Sequence, residues 1–151
     1  MADAIQYSPS HAGVCVSDLD RAVRFYCDGL GFELSDRFDA DTAIAVGLDE
    51  ALEVKGPVNL QSQMIVSGGM KLELLAYPGR PSEGTPSDSR GLLGLTHLSF
   101  WVDDVEAAAA RLVACGGTVI DSTRQNVGIP LLFLADPDGT RIELMGGTPP
   151  S

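Results

Sequence analysis

Apolar and polar residues alternate from His11 to Val16, with Val14 and Val16 together on one side and His11 and Cys15 on the other. A period of two marks a strand with one buried face. The same alternation runs from His97 to Val102, where Leu98, Phe100 and Val102 share the apolar side. Each strand leads into a pattern of helical period. Leu19, Ala22, Val23 and Tyr26 follow the first, and Val105, Ala108, Ala109 and Leu112 the second, with Asp18 and Asp104 placed as N-caps. Glycines at 29, 31, 116 and 117 then stop the two helices. Further strands are predicted over residues 32–37, 61–66 and 70–75, and over 118–121, 130–134 and 140–145. Asp136-Pro137-Asp138-Gly139 is a turn between the last two.

These two series are one series written twice. The stretch from His11 to Ala22 reappears from His97 to Ala108 at a shift of 86 positions, which holds as far as Gly31 and Gly117. Gly69-Met70-Lys71-Leu72-Glu73-Leu74 reappears as Gly139-Thr140-Arg141-Ile142-Glu143-Leu144 at a shift of 70. The first copy therefore carries 16 extra residues, among which 41–52 read as a short inserted helix. The expected architecture is α+β: two tandem βαβββ modules forming a curved mixed sheet, or cup, within a single domain spanning 1–151. Module 1 covers about 8–77 and module 2 about 95–146. The Pro-, Gly- and Ser-rich stretch of about 78–94 reads as the linker, in preference to a lid.

Composition narrows the function. At 151 residues, 44% hydrophobic and 21% charged, the chain is an ordinary globular one. Its net charge of −11 disfavours nucleic acid and anionic membrane surfaces as partners. Its apolar runs are far shorter than the roughly 20 residues of a membrane-spanning helix, and no secretory leader is visible, so a cytoplasmic location is expected. Cys15, Cys27 and Cys115 lack metal-type spacing and read as free thiols, mainly small buried side chains.

The chain has only two histidines, His11 and His97, and they occupy equivalent repeat positions. Both lie on the non-core parity of their strands. So do Glu73 and Glu143, each flanked by apolar residues pointing the other way. When two such modules pair, two imidazoles and two carboxylates can converge inside the cup. That donor set suits Ni, Zn, Co, Mn or Fe as a divalent ion and leaves two octahedral positions open. The chemistry expected is polarisation of a carbonyl or enediolate, with a loosened ligand carboxylate, Glu143 or Glu73, as general base. A lone strand histidine is more often a hydrogen-bonded structural residue; the duplicated quartet reverses that preference. Cys15, Ser99 and Trp101 share the ligand-facing parity and read as cup lining. Arg124 and Gln125 read as surface loop residues within reach of an anion at the cup mouth.

The duplicated unit opening with His, the Asp18-Leu19-Asp20-Arg21-Ala22 helix start, Gly29-Leu30-Gly31-Phe32 and the ending from Asp136 to Leu144 resemble the vicinal oxygen chelate superfamily, the glyoxalase, bleomycin-resistance and dioxygenase group. The resemblance implies a glyoxalase-like fold, a homodimer and a small-molecule substrate. It assigns His11, Glu73, His97 and Glu143 to the His, Glu, His, Glu metal ligands of bacterial-type glyoxalase I. The function it implies is a divalent-metal-dependent lyase or isomerase of the glyoxalase I and epimerase type, transferring a proton next to a carbonyl through a metal-bound enediolate. An Fe(II)-dependent dioxygenase is the alternative, weakened by the lack of a third histidine. A metal-free small-molecule binder is another, weakened by the intact quartet. The insertion near 40–55 and the long linker depart from glyoxalase I, and no glutathione-binding set is recognisable among the arginines.

Overall fold

The computed structural model describes residues 5–40, 47–54, 59–86 and 89–150. The first half runs β1 (Ala12–Cys15), α1 (Leu19–Val23), a π-helical segment (Arg24–Gly29), β2 (Glu33–Ala40), α2 (Leu48–Ala51), β3 (Leu60–Ser67) and β4 (Met70–Ala76). The second runs β5 (Leu98–Val102), α3 (Val105–Ala114), β6 (Thr118–Val119), a 3-10 turn (Asp121–Thr123), β7 (Gln125–Asn126), β8 (Pro130–Ala135) and β9 (Arg141–Gly146). The first sheet has the order β1-β4-β3-β2 and the second β5-β9-β8-β6, with β7 added against β8. In each, the first strand lies parallel to the last and the remaining pairs are antiparallel. Both sheets are thus mixed, as the repeat predicts. Of the inserted helix expected over 41–52, Leu48–Ala51 is helical, and residues 41–46 lie outside the described residues.

The caps form as the sequence reading expects. The Asp18 carboxylate accepts from the Arg21 N–H, and that of Asp104 from the N–H groups of Glu106 and Ala107. Such a cap stabilises its helix by about 1 kcal/mol. The first helix then departs from the simple α period. After Val23 it widens into a π-helix, with the Leu30 N–H donating to the Phe25 carbonyl five residues back. The wider turn sends Phe25 into the core beside Tyr26, and both are fully buried. An unbroken stripe at α spacing accounts for Tyr26 and misses Phe25.

One hydrophobic cluster draws on both halves, including Leu72, Leu74, Leu132, Leu134, Ile142 and Leu144 from the inner faces of the sheets and Phe25, Tyr26 and Leu112 from the helices. Edge-to-face ring contacts run from Phe25 to Tyr26 to Phe32 and across to Phe100 of the second module. Close approach demands glycine at this junction. A Cβ on Gly117 would sit 2.7 Å from the Phe25 ring and 3.1 Å from the Leu112 carbonyl oxygen. Polar ties reinforce the join. The Tyr26 hydroxyl donates to Asp136 at 2.9 Å, and the Asp136 carboxylate also accepts the N–H groups of Asp138 and Thr140, shaping the turn before β9. Asp138 in turn accepts from Ser17 and Arg21, and Arg111 donates to the Asp28 carbonyl at 2.7 Å. Because both sheets give their apolar faces to this shared core, both present their polar-parity faces away from it.

Candidate functional site

His11 immediately precedes β1, and the parallel pairing of β1 with β4 sets Gly13 beside Glu73. The imidazole Nε2 of His11 lies 3.0 Å from the Glu73 carboxylate. The second module repeats this. His97 precedes β5, Ser99 pairs with Glu143, and Nε2 of His97 lies 3.4 Å from the Glu143 carboxylate. All four side chains are between about one seventh and one third exposed, so they are reachable from solvent yet held by neighbours. Each histidine is thus brought to one glutamate of the expected quartet, but the two pairs remain separate within one chain. Among the described residues, no third His, Cys, Asp or Glu joins either pair to form a group that could hold a metal. The orientation of the sheets explains this, since each pair stands on a face turned away from the shared core.

The surroundings of each pair suit a divalent cation. Nδ1 of His11 lies 2.9 Å from the Ser10 hydroxyl, and Nδ1 of His97 lies 2.9 Å from the Thr96 hydroxyl. When Nδ1–H donates to that oxygen, Nε2 presents its lone pair toward the carboxylate, the arrangement found for metal-ligating imidazoles. Each glutamate is also steadied by a hydroxyl at 2.6 Å. Ser62 donates to Glu73, and Ser99 donates to Glu143. Two donors from one pair are too few for a stable site, whereas two pairs together supply the four that such ions take. The hydroxyls before the histidines were legible in the repeat, because Ser10 and Thr96 stand at the same shift of 86. Ser62 was one of several polar residues in its strand, and only the fold shows it 3% exposed and bonded to Glu73.

A cavity of about 470 Å³ is lined by Cys15 of β1, Tyr77 just after β4, Glu53 and Val54 after α2, and residues 80–83 of the linker. The insertion and the linker therefore form walls of this cavity. Burial, then the neighbouring Cys15 and Glu73, push the Tyr77 phenol above its ordinary pKa, with Arg80 opposing. Burial and Asp138 likewise raise the Cys15 thiol, which favours the neutral form. Cys15 thus lines a pocket, in keeping with its strand parity, and Ser99 holds a site carboxylate. Arg124 is engaged elsewhere, paired with Glu106 and Asp121 on the exposed surface.

Comparison with known proteins agrees with this architecture. The chain is 30% identical over 138 residues to the uncharacterized protein YaeR of Escherichia coli (strain K12), covering 89% of this chain and 92% of that one. It is 26% identical over 147 residues to a probable lactoylglutathione lyase of Synechocystis sp., covering 89% and 92%. A 2-epi-5-epi-valiolone epimerase of Actinomyces sp. is 28% identical over 142 residues, covering 89% and 76%. Among solved structures, a glyoxalase family protein from Bacillus cereus has the same fold, with a TM-score of 0.76 at 22% identity over 97% of this chain and 99% of that one. The model of one family matches residues 8–144, a span holding both His–Glu pairs and all but the last two residues of β9. By that match and the duplicated fold, the chain belongs to the Glyoxalase/Bleomycin resistance protein/Dioxygenase superfamily.

Proposed function

We propose that this protein is a divalent-metal-dependent lyase or isomerase of the glyoxalase and epimerase type, which transfers a proton next to a carbonyl group. The carrying observation is the mirrored pair of His–Glu contacts, His11 with Glu73 and His97 with Glu143, each backed by hydroxyls on both partners. Relatives named as a lyase and as an epimerase support the same class.

Four ligands are needed and each face of one chain offers two, so the working unit in this reading is a homodimer. His11 and Glu73 of one copy meet His97 and Glu143 of the other, and twofold symmetry makes two such cups. Exposed Leu34, Phe38, Leu92, Leu93 and Leu95 supply apolar surface for a second copy to cover. When bound, the cation would supply Lewis-acid polarisation of a substrate oxygen and lower the cost of ionising the neighbouring carbon. The protein's own groups do the rest. The carboxylate of Glu73 or Glu143 accepts the proton and returns it to the product, while Ser62 and Ser99 hold these carboxylates in line. The cavity walled by the insertion and the linker receives the remainder of the substrate.

Elemental analysis after incubation with Ni, Zn, Co, Mn or Fe(II), followed by assays with hemithioacetals and acyl-CoA epimers, tests this reading. One equivalent of metal per chain is expected, and His97→Ala should lose it while keeping its fold by circular dichroism. A full equivalent retained by His97→Ala would overturn the site. Ferrous-dependent oxygen uptake with a catechol would replace the lyase or isomerase reading by that of an oxygenase.

A further inference from the structure

On the second sheet, Arg141 has no part in the proposed proton transfer. It stands two residues before Glu143 on β9 and shares its face, while Ile142 and Leu144 point into the core. Its guanidinium carbon lies 4.4 Å from the centroid of the Phe133 ring. The same ring meets His97 edge-to-face at 5.4 Å, and Phe133 pairs with Glu143 across the ladder. Arg141, Phe133, His97 and Glu143 therefore form one patch.

One donor of this cation has no acceptor among the described residues. That donor, Nε, is closed off from solvent. Stacking on Phe133 occupies a face of the guanidinium and leaves the edge formed by its two terminal nitrogens for a planar acceptor. The first sheet carries the charge without the shelf. Lys71 stands two residues before Glu73, and the ladder position opposite Glu73 is filled by Met64, which offers no ring.

We propose that Arg141, laid flat on Phe133, is a specificity residue that anchors a carboxylate of the substrate. The substrate class is then a small carbonyl compound bearing a carboxylate a few bonds from its reacting carbon. Two residues along a strand span about 6.6 Å, so an anion on Arg141 places the adjoining carbons beside Glu143. A singly charged carboxylate suits the patch better than a doubly charged phosphate, because the Glu143 carboxylate stands on the same face. The assignment rests on the proton-transfer reading of this site.

Calorimetric titration with pyruvate and with methyl pyruvate separates charge from carbonyl recognition. The intact protein should bind pyruvate at least about tenfold more tightly than the ester. Arg141→Met should abolish that preference with metal content unchanged, and Arg141→Lys should keep part of it, having the charge without the fork. Equal affinity for acid and ester in the intact protein, or an undiminished preference in Arg141→Met, would overturn the proposal. Tighter binding of inorganic phosphate than of pyruvate would overturn the choice of carboxylate. Intact protein that takes up no metal refutes the lyase or isomerase reading and leaves the anion preference to be read independently; metal uptake without the preference refutes only the role of Arg141.

Discussion

If each cup joins pairs from two copies, inactive variants should complement each other in a way that one-chain sites forbid. In a His11→Ala homodimer each site lacks the imidazole from module 1, and in a His97→Ala homodimer each lacks the imidazole from module 2. Either loss takes one of four ligands and should remove most of the metal. Now consider a mixed dimer with one chain of each kind. Crossed sites put His11→Ala against His97→Ala in one cup, which loses both imidazoles. The other cup combines the intact His11–Glu73 pair of one chain with the intact His97–Glu143 pair of its partner. Such a dimer should bind about half the metal of the unaltered protein and show about half its turnover. Co-expression with two affinity tags and tandem purification isolates it, and elemental analysis with an activity assay reads the result. One-chain sites would leave both cups of the mixed dimer damaged, so metal no higher than in the two homodimeric variants would sink the argument. Failure to recover any mixed dimer at the concentrations used for activity would sink it too.

Two further outcomes follow from hydrogen bonds around the site and the core. Ser62→Ala removes the donor that holds Glu73 at 2.6 Å, and metal affinity measured by chelator competition should fall about 10- to 100-fold; unchanged affinity would mean that Ser62 does not position Glu73 as a ligand. Burial and Asp136 raise the Tyr26 phenol far above its ordinary pKa of 10.0. Below about pH 10 the folded and unfolded phenols are both protonated, and above it only the unfolded one ionises, so stability should drop by about 1.4 kcal/mol per pH unit as pH rises further. Tyr26→Phe should cost about 1–3 kcal/mol near neutral pH and remove that alkaline slope. Urea unfolding of both proteins at stepped pH checks the difference, and parallel pH profiles would refute it.

Much of the architecture was legible along the chain because it depends on short-range periodicity. Strand alternation, two aspartate caps and the Asp136 to Gly139 turn needed no distant partner to be read. The placement of His11, Glu73, His97 and Glu143 on polar faces was legible for the same reason, since residues of one parity share one face; which histidine meets which glutamate was not, because it depends on the parallel pairing of β1 with β4 and of β5 with β9. The π-helical widening after Val23 was not, because it is the tertiary demand for both Phe25 and Tyr26 that overrides the α period.

The duplicated sequence determined which side chains stand on the polar faces and which on the apolar ones. Only the packing decided which way those faces turn. Tyr26 and Leu112 meet in one core, with Gly117 making room for Phe25, and that shared burial directs the two His–Glu pairs apart instead of together. Periodicity is set residue by residue along the backbone, whereas the relative orientation of two sheets depends on burying their apolar faces against each other, a choice no local pattern records.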